Sequence, residues 1–356
     1  MNHAILNHTP ILLFSPENIA YITALIDAPL QIDDSALLIE PDGSSTLFAD
    51  ARYIERARTA LADKTDCILA KDGLLQAVAE RLKGRTDDLE IEFESITHGR
   101  FNRLRELLPN LQFSDVSQRL LERRAIKTPY EIDCIRKASK IMCEAYEATL
   151  PKIKAQICAG ALRECEVAAL LEYEMRIRGS ERPAFDTICI SGTKTAMPHG
   201  ATGENVIGNG FLTMDFGAVY KGYHSDITRT IAIGSVSDEM RKVYDTVLAA
   251  QLKALEFIRP GVACAEIDRA ARDVIEQSGY AGKFLHGLGH GIGLQIHELP
   301  RLSPKAEGTL VAGNAVTVEP GIYLEGKMGV RIEDSVLVTE NGMEILTPMS
   351  KELIVL

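Results

Sequence analysis

Apolar and polar positions change period repeatedly along the first third of the chain, with short strand-like runs alternating with runs of helical period. SALLIEPDGSSTLFAD (35–50) predicts two strands about a Pro-Asp-Gly turn, and ARYIERARTAL (51–61) a helix. TDCILA (65–70) reads as a strand, LLQAVAERLKG (74–84) as a helix and DLEIEF (88–93) as another strand. A charged helical stretch, LLERRAIKTPYEIDCIRKASKIMCEAYEATL, follows. In it Thr128 has the position of an N-cap, with Pro129 at the first helical position and Glu131 three residues on.

Beyond it the pattern repeats. Helical segments 131–150 and 161–178 precede the β-rich DTICISG and LTMDFGAVYKGYHSDITRTIAIG; segments 238–258 and 265–277 precede HGLGHGIGLQIHE and AVTVEPGIYLEGKMGVRIEDSVLV. A helix pair followed by a hairpin occurs twice. The expectation is an α/β protein with a small α/β domain at 1–121 and a second domain at 122–356 made of two related halves around one sheet.

Composition narrows the functional classes. With 356 residues and 46% hydrophobic content the chain is long enough for two cores, and a formal charge of -11 argues against nucleic acid and anionic membranes as partners. No apolar run has the length of a membrane span. MNHAILNHTPILLF has neither a basic n-region nor a small-residue cleavage site. Seven cysteines without a CxxC pair read as reduced thiols, so a cytoplasmic protein is expected.

Chemistry concentrates in the second domain. HGLGHGIGLQIHE (286–298) holds three of the eight histidines among four glycines. Each interior glycine costs a helix roughly 1 kcal/mol, so this is extended or looping chain and not a zinc helix. Asp215 and Asp226 are symmetric about Tyr220-Lys221, and Glu319 and Glu333 about Gly326. Hairpins turning at those points place each pair of acids directly opposite, where like charges repel. Met214, Phe216, Val318 and Ile332 beside them are apolar, which draws the carboxylates toward a buried sheet. A solvent-facing acid is the ordinary reading of any one of the four; the doubled placement argues for a cation. Four carboxylates and an imidazole can hold two divalent ions. The oxygen-rich set suits Mn(II) or Co(II), with Zn(II) the softer alternative, and two such ions support hydrolysis.

MDFGAVYKGYHSDITRT, HGLGHGIGLQIHE, VEPGIY and GVRIEDSV, in this order, resemble the pita-bread metallopeptidases (family M24): Xaa-Pro dipeptidases or prolidases, aminopeptidase P and methionine aminopeptidases. NIAYITAL and DARYIERA resemble the N-terminal domain of the proline-specific branch. The resemblance implies a curved antiparallel sheet with pseudo-twofold halves, and a metal set of Asp215, Asp226, His290, Glu319 and Glu333. Asp215 would chelate one ion and His290 with Glu319 the other, Asp226 and Glu333 bridging. Glu319 would also act as general base and acid. His199 and His297 take the places of histidines beside the scissile peptide.

For His286 two readings stand, substrate contact and a supporting histidine of the core. Arg331 shares the Glu333 face; it orients ligands or meets a substrate carboxylate, or forms a structural ion pair. Arg301 is a second candidate for the carboxylate or a solvated rim residue. Phe185 is a candidate wall for a proline ring or an ordinary core residue. The favoured function is cleavage of Xaa-Pro dipeptides. The alternatives are an aminopeptidase P acting on longer peptides, a methionine aminopeptidase and a metal-free binding module of the same fold. Gln295 departs from the family, where an acid is frequent. A homodimer is implied by analogy.

Overall fold

The computed structural model describes residues 9–24, 32–160 and 162–356. The first eight residues of MNHAILNHTPILLF, the stretch without a basic n-region or a small-residue cleavage site, lie outside the described residues. The chain divides into two compact units, Met1–Arg124 and Ala125–Leu356.

Among its described residues the first unit carries one six-stranded sheet. Its strands are β1 (Ile11–Leu13), β2 (Ser35–Ile39), β3 (Ser45–Ala49), β4 (Asp66–Leu69), β5 (Asp88–Ile91) and β6 (Gln112–Asp115), in the order β4-β3-β2-β1-β5-β6. The helices are α1 (Pro16–Ala24), α2 (Ile54–Leu61), α3 (Leu74–Arg81), α4 (His98–Leu107) and α5 (Ser117–Ala125). The β2–β3 hairpin turns at Pro41-Asp42-Gly43, where Gly43 takes a φ of 88° and Asp42 Oδ1 accepts the Ser44 N–H at 2.8 Å. At three residues β1 is too short to show a period. Its partners define it, β2 antiparallel and β5 parallel.

The charged stretch at 120–150 is not one helix. Pro129 disfavours helical backbone at the residue before it, and Thr128 is extended (φ -70°, ψ 162°). Helix α5 therefore ends and α6 (Pro129–Ala159) starts afresh behind a capping box, Thr128 accepting from Glu131 N–H while Glu131 accepts from Thr128 N–H.

The repeated order is present in the second unit. Helices α6 and α7 (Glu164–Ile177) precede β7 (Ile188–Ser191), β8 (Gly210–Phe216), β9 (Val219–Tyr220), β10 (Tyr223–His224) and β11 (Ile227–Ile233). Helices α8 (Asp238–Leu255) and α9 (Cys264–Ile275) precede β12 (Gly289–Gly291), β13 (Glu298–Leu302), β14 (Ala315–Val318), β15 (Gly321–Leu324), β16 (Met328–Arg331), β17 (Asp334–Thr339) and β18 (Gly342–Ile345). The strands are not one continuous ladder: β11-β8-β7 and β13-β12-β14-β17-β18 are separate, with β9–β10 and β15–β16 as two-stranded ribbons. The second ladder breaks at Glu319-Pro320 and Ile332-Glu333, where Pro320 has no N–H to give. There the freed Glu333 N–H donates to Thr228 O at 3.1 Å, tying the halves together.

Alternation assigns the faces. Leu212, Met214, Phe216, Ile227 and Ile231 pack with α6 and α7, whereas Val316, Val318, Val330 and Ile332 pack with α8 and α9. The intervening positions, Asp215, Thr228, Thr317, Arg331 and Glu333, point the other way.

Because the cap supplies a hydrogen bond that α6 cannot make internally, Thr128→Ala is expected to destabilise the second unit by about 1 kcal/mol. A lower urea midpoint with an unchanged slope is the checking measurement.

Candidate metal centre

The first acid pair does not sit as the symmetry about Tyr220-Lys221 predicts. Thr228 opposes Asp215, and the β9–β10 ribbon pairs Tyr223 with Tyr220. The turn is centred on Lys221-Gly222, both with positive φ (49° and 81°). That is the demand of a tight two-residue hairpin, and glycine meets it at the second place. The centre moves by one residue and the register by two. Asp226, in the short link between β10 and β11, is thus a diagonal neighbour of Asp215, and its backbone oxygen accepts from Ser335 Oγ at 2.7 Å. The second pair follows its symmetry: Val318 opposes Asp334 and Gly321 opposes Arg331, so one register runs through Glu319 and Glu333.

The two hairpins nevertheless bring the acids together. Carboxylate oxygens of Asp215, Asp226 and Glu333 lie within 4.8 Å of one another. His290 Nε2 lies 3.4 Å from Glu319 Oε1 and 3.6 Å from Asp226 Oδ2. His290 reaches this point because β12 runs hard against β14. A Cβ on Gly289 would fall 2.0 Å from Thr317 O, and the His290 N–H donates to Thr317 Oγ1 at 3.0 Å.

The approaches of His290 to the two acids are not ion pairs. Its Nδ1 is 3.1 Å from Gly291 O, a contact that only an N–H can make favourable, so the proton is assigned there and Nε2 carries a lone pair. Burial, and then the neighbouring His297, bring the His290 pKa down to about 3, which keeps the ring neutral. A lone pair thus faces the carboxyl oxygens of Glu319 and Asp226. Burial drives the Asp226 and Glu333 carboxyls well above their ordinary range, reinforced by Glu333 for the first and Glu319 for the second. Burial likewise pushes Glu319 up to about 8, against the Arg331 charge and with that of Asp215. Glu333 Oε1 is buried without a hydrogen-bond partner among the described residues. Converging acceptors, a spare buried carboxylate oxygen and a deprotonated imidazole form a donor set suited to divalent cations.

Hydroxyls fix the carboxylates from outside. Thr228 Oγ1 donates to Glu333 Oε2 at 2.7 Å and accepts from Arg331 Nε at 3.0 Å; Thr317 Oγ1 donates to Glu319 Oε1 at 3.2 Å. Arg331 continues to Asp215 Oδ2 at 2.6 Å, Pro198 O at 3.1 Å and Tyr323 Oη at 3.0 Å. Tyr323 Oη, accepting from Arg331, donates to His286 Nε2 at 2.8 Å, while His286 Nδ1 donates to Gly287 O at 2.8 Å. Burial, and then Arg331, hold His286 neutral with a pKa down to about 4. Arg331 is thus ion-paired with Asp215, and His286 is tied to Tyr323.

All the predicted site residues line one cleft of about 580 Å³: Phe185, His199, Asp215, Asp226, His286, His290, His297, Arg301, Glu319, Arg331 and Glu333. Ile188, Pro198, Ile296 and Leu302 add apolar wall. His199, His297 and Arg301 are exposed, and Arg301 makes no ion pair with a described residue. The His297 ring stands edge-on to that of His290, centroids 4.4 Å apart.

Sequence reasoning missed Thr228, Thr317 and Tyr323. Alternation could have found the first two, since Thr228 lies two residues after Asp226 and Thr317 two before Glu319.

The pattern of metallopeptidase family M24 matches residues 133–340, and that of the creatinase/prolidase N-terminal domain matches 10–126. The chain belongs to metallopeptidase family M24. It is 37% identical over 345 residues to an Xaa-Pro dipeptidase of Pyrococcus furiosus, spanning 97% of this chain and 94% of that relative. The solved structure of an Xaa-Pro dipeptidase from Bacillus anthracis is similar at TM-score 0.90 and 38% identity, covering 98% of this chain and 95% of that one. An X-Pro aminopeptidase from Thermotoga maritima MSB8 is similar at TM-score 0.88 and 34% identity, covering 99% of both chains.

Since Gly289 has no room for a methyl group, Gly289→Ala is expected to force β12 from β14. The cost is about 1–3 kcal/mol. A lower thermal midpoint together with reduced metal uptake by elemental analysis is the expected pair of readouts.

Proposed function

We propose that this chain is a metal-dependent Xaa-Pro dipeptidase holding two divalent ions, Mn(II) or Co(II) before Zn(II), in the domain at 122–356. The observation that carries the reading is the His290 Nε2 lone pair directed at the carboxyl groups of Glu319 and Asp226, beside Glu333 Oε1, which is buried without a hydrogen-bond partner among the described residues. Asp215, Asp226, His290, Glu319 and Glu333 are the residues that would hold the ions. When bound, such ions supply Lewis acidity and a nucleophile at neutral pH.

The chain's own residues do the rest. Glu319, oriented by Thr317, takes a proton from the attacking water and delivers it to the departing proline nitrogen. His297 and His199, exposed on the cleft, donate to the oxyanion of the tetrahedral intermediate and hold the substrate peptide. Phe185 belongs to an apolar wall for the proline ring, which has no N–H for a protease cleft to bind. Arg331, its guanidinium occupied by Asp215, Thr228, Tyr323 and Pro198, orients ligands. That leaves Arg301 to meet the substrate carboxylate. Free thiols fit a cytoplasmic protein, and no helix among the described residues is long and apolar enough to cross a membrane. A homodimer is part of the same proposal. The creatinase/prolidase N-terminal match speaks against a methionine aminopeptidase, and the convergence of Asp215, Asp226 and Glu333 against a metal-free module.

Exhaustively chelated protein is expected to be inactive on Ala-Pro and to regain turnover with Mn(II) or Co(II). Asp226→Ala should abolish that recovery while Asp273→Ala, on exposed helix surface, preserves it. Full turnover by stripped protein would sink the metal reading.

His290→Ala is expected to lower metal content in elemental analysis. His297→Ala should keep the metal and lose about 10²- to 10³-fold in kcat, the usual effect of removing an oxyanion donor. Equal metal loss in both variants refutes this division.

Substrate length decides between dipeptidase and aminopeptidase. An arginine contact to carboxylate is strong and directional, so kcat/KM for Ala-Pro is expected to exceed that for Ala-Pro-Ala and Ala-Pro-amide, and Arg301→Ala to erase the difference. If the longer substrate and the amide are cut as well as the dipeptide, the chain is an aminopeptidase P.

A further inference from the structure

His297 is presented by the loop 293–298, which leaves β12 and enters β13. The bonds that shape this loop lie away from the cleft. The His224 N–H donates to Gly293 O at 2.8 Å, and the Gln295 N–H to Glu298 Oε1 at 3.0 Å. The other oxygen of the same carboxylate, Glu298 Oε2, accepts from Lys127 Nζ at 2.9 Å. The lysine and glutamate side chains are 0% and 2% exposed, and neither residue lines the cleft.

Lys127 is itself anchored. Its N–H donates to Gly313 O at 2.9 Å, Asn314 Nδ2 donates to Ala125 O at 2.9 Å, and the next residue, Thr128, caps α6. A lysine on rigid chain thus grips one oxygen of a carboxylate whose other oxygen holds the loop backbone two residues before His297. Stability does not account for burying the pair so completely, because desolvation offsets most of the Coulomb gain. A buried ion pair does hold geometry, and an oxyanion donor depends on geometry.

We propose that Lys127 is a positioning residue, fixing through Glu298 the loop that carries His297. Only the kinetic part of its test rests on the peptidase reading. In Mn(II)-loaded enzyme, Lys127→Met is expected to lower kcat on Ala-Pro by about 10- to 100-fold with metal content unchanged. In a His297→Ala background the same substitution should alter kcat by no more than about twofold, since the residue it positions is gone. Amide hydrogen exchange supplies a readout independent of activity: the 293–298 peptide should exchange at least about tenfold faster in Lys127→Met, while β14 is unchanged. If Lys127→Met does not fold, Lys127→Met/Glu298→Gln removes both charges and keeps an oxygen for Gln295 N–H; it should show the same loop-limited acceleration. Penalties that multiply in the His297→Ala background, or loop exchange equal to wild type, overturn the proposal. Should the wild type fail to cleave Ala-Pro, the peptidase reading falls and the exchange comparison alone decides the role of Lys127.

Discussion

Charge crowding is the constraint from which the rest of the second unit follows. Asp215, Asp226 and Glu333 hold oxygens within 4.8 Å of one another, with Glu319 nearby across His290. Two like charges 4 Å apart repel by roughly 4 kcal/mol at an effective dielectric of about 20. Several such pairs rival the whole stability of a domain, roughly 5–15 kcal/mol. The fold can keep these residues only by protonating them or by binding cations, and the raised pKa values of Asp226, Glu319 and Glu333 express the first of these options. Four neighbouring polar groups are arranged for the second. Thr228 and Thr317 each spend their single proton on a carboxylate, Arg331 compensates Asp215, and His290 turns its ring N–H away to Gly291 O.

Two related halves are an economical way to assemble such a crowd. Each provides a helix pair that covers one face of its strands, and alternation then delivers polar side chains to the other face without further specification. Leu212, Met214 and Phe216 commit β8 to its helices and so commit Asp215 to the opposite side; Val330 and Ile332 do the same for Arg331 and Glu333. The apolar cores therefore set the direction of the acids, while the hydrogen bond between Glu333 N–H and Thr228 O sets the halves against each other.

What could be read in the sequence follows the range of the interactions involved. Period and turn chemistry are local, so the β2–β3 hairpin, the Thr128 cap and the paired helices were legible, as was the extended character of the histidine segment. The Glu319/Glu333 register was legible because its turn and its symmetry coincide. The Asp215/Asp226 register was not, since mirror symmetry of the acids says nothing about which two residues accept positive φ. Gly222 was the available signal, and it outranks symmetry. Contacts such as Arg331 to Tyr323 to His286, or Lys127 to Glu298 across 171 residues, have no local signature at all.

The division of labour between the two cleft arginines illustrates how burial decides a role that residue type leaves open. Arg331 is 4% exposed, and four acceptors already share its guanidinium. Handing it to a substrate would strip a charge-assisted bond from Asp215 and leave buried acceptors unpaired, a loss that one new carboxylate contact does not recover. Arg301 lies on the same cleft but is exposed, and an exposed donor exchanges solvent for a carboxylate at little cost. In the proposed dipeptidase a fixed charge beside the acids and an exchangeable charge at the rim are different instruments: the first would orient the ligands, the second would meet the substrate carboxylate. The proposed preference for dipeptides thus rests on the exposed one of the two.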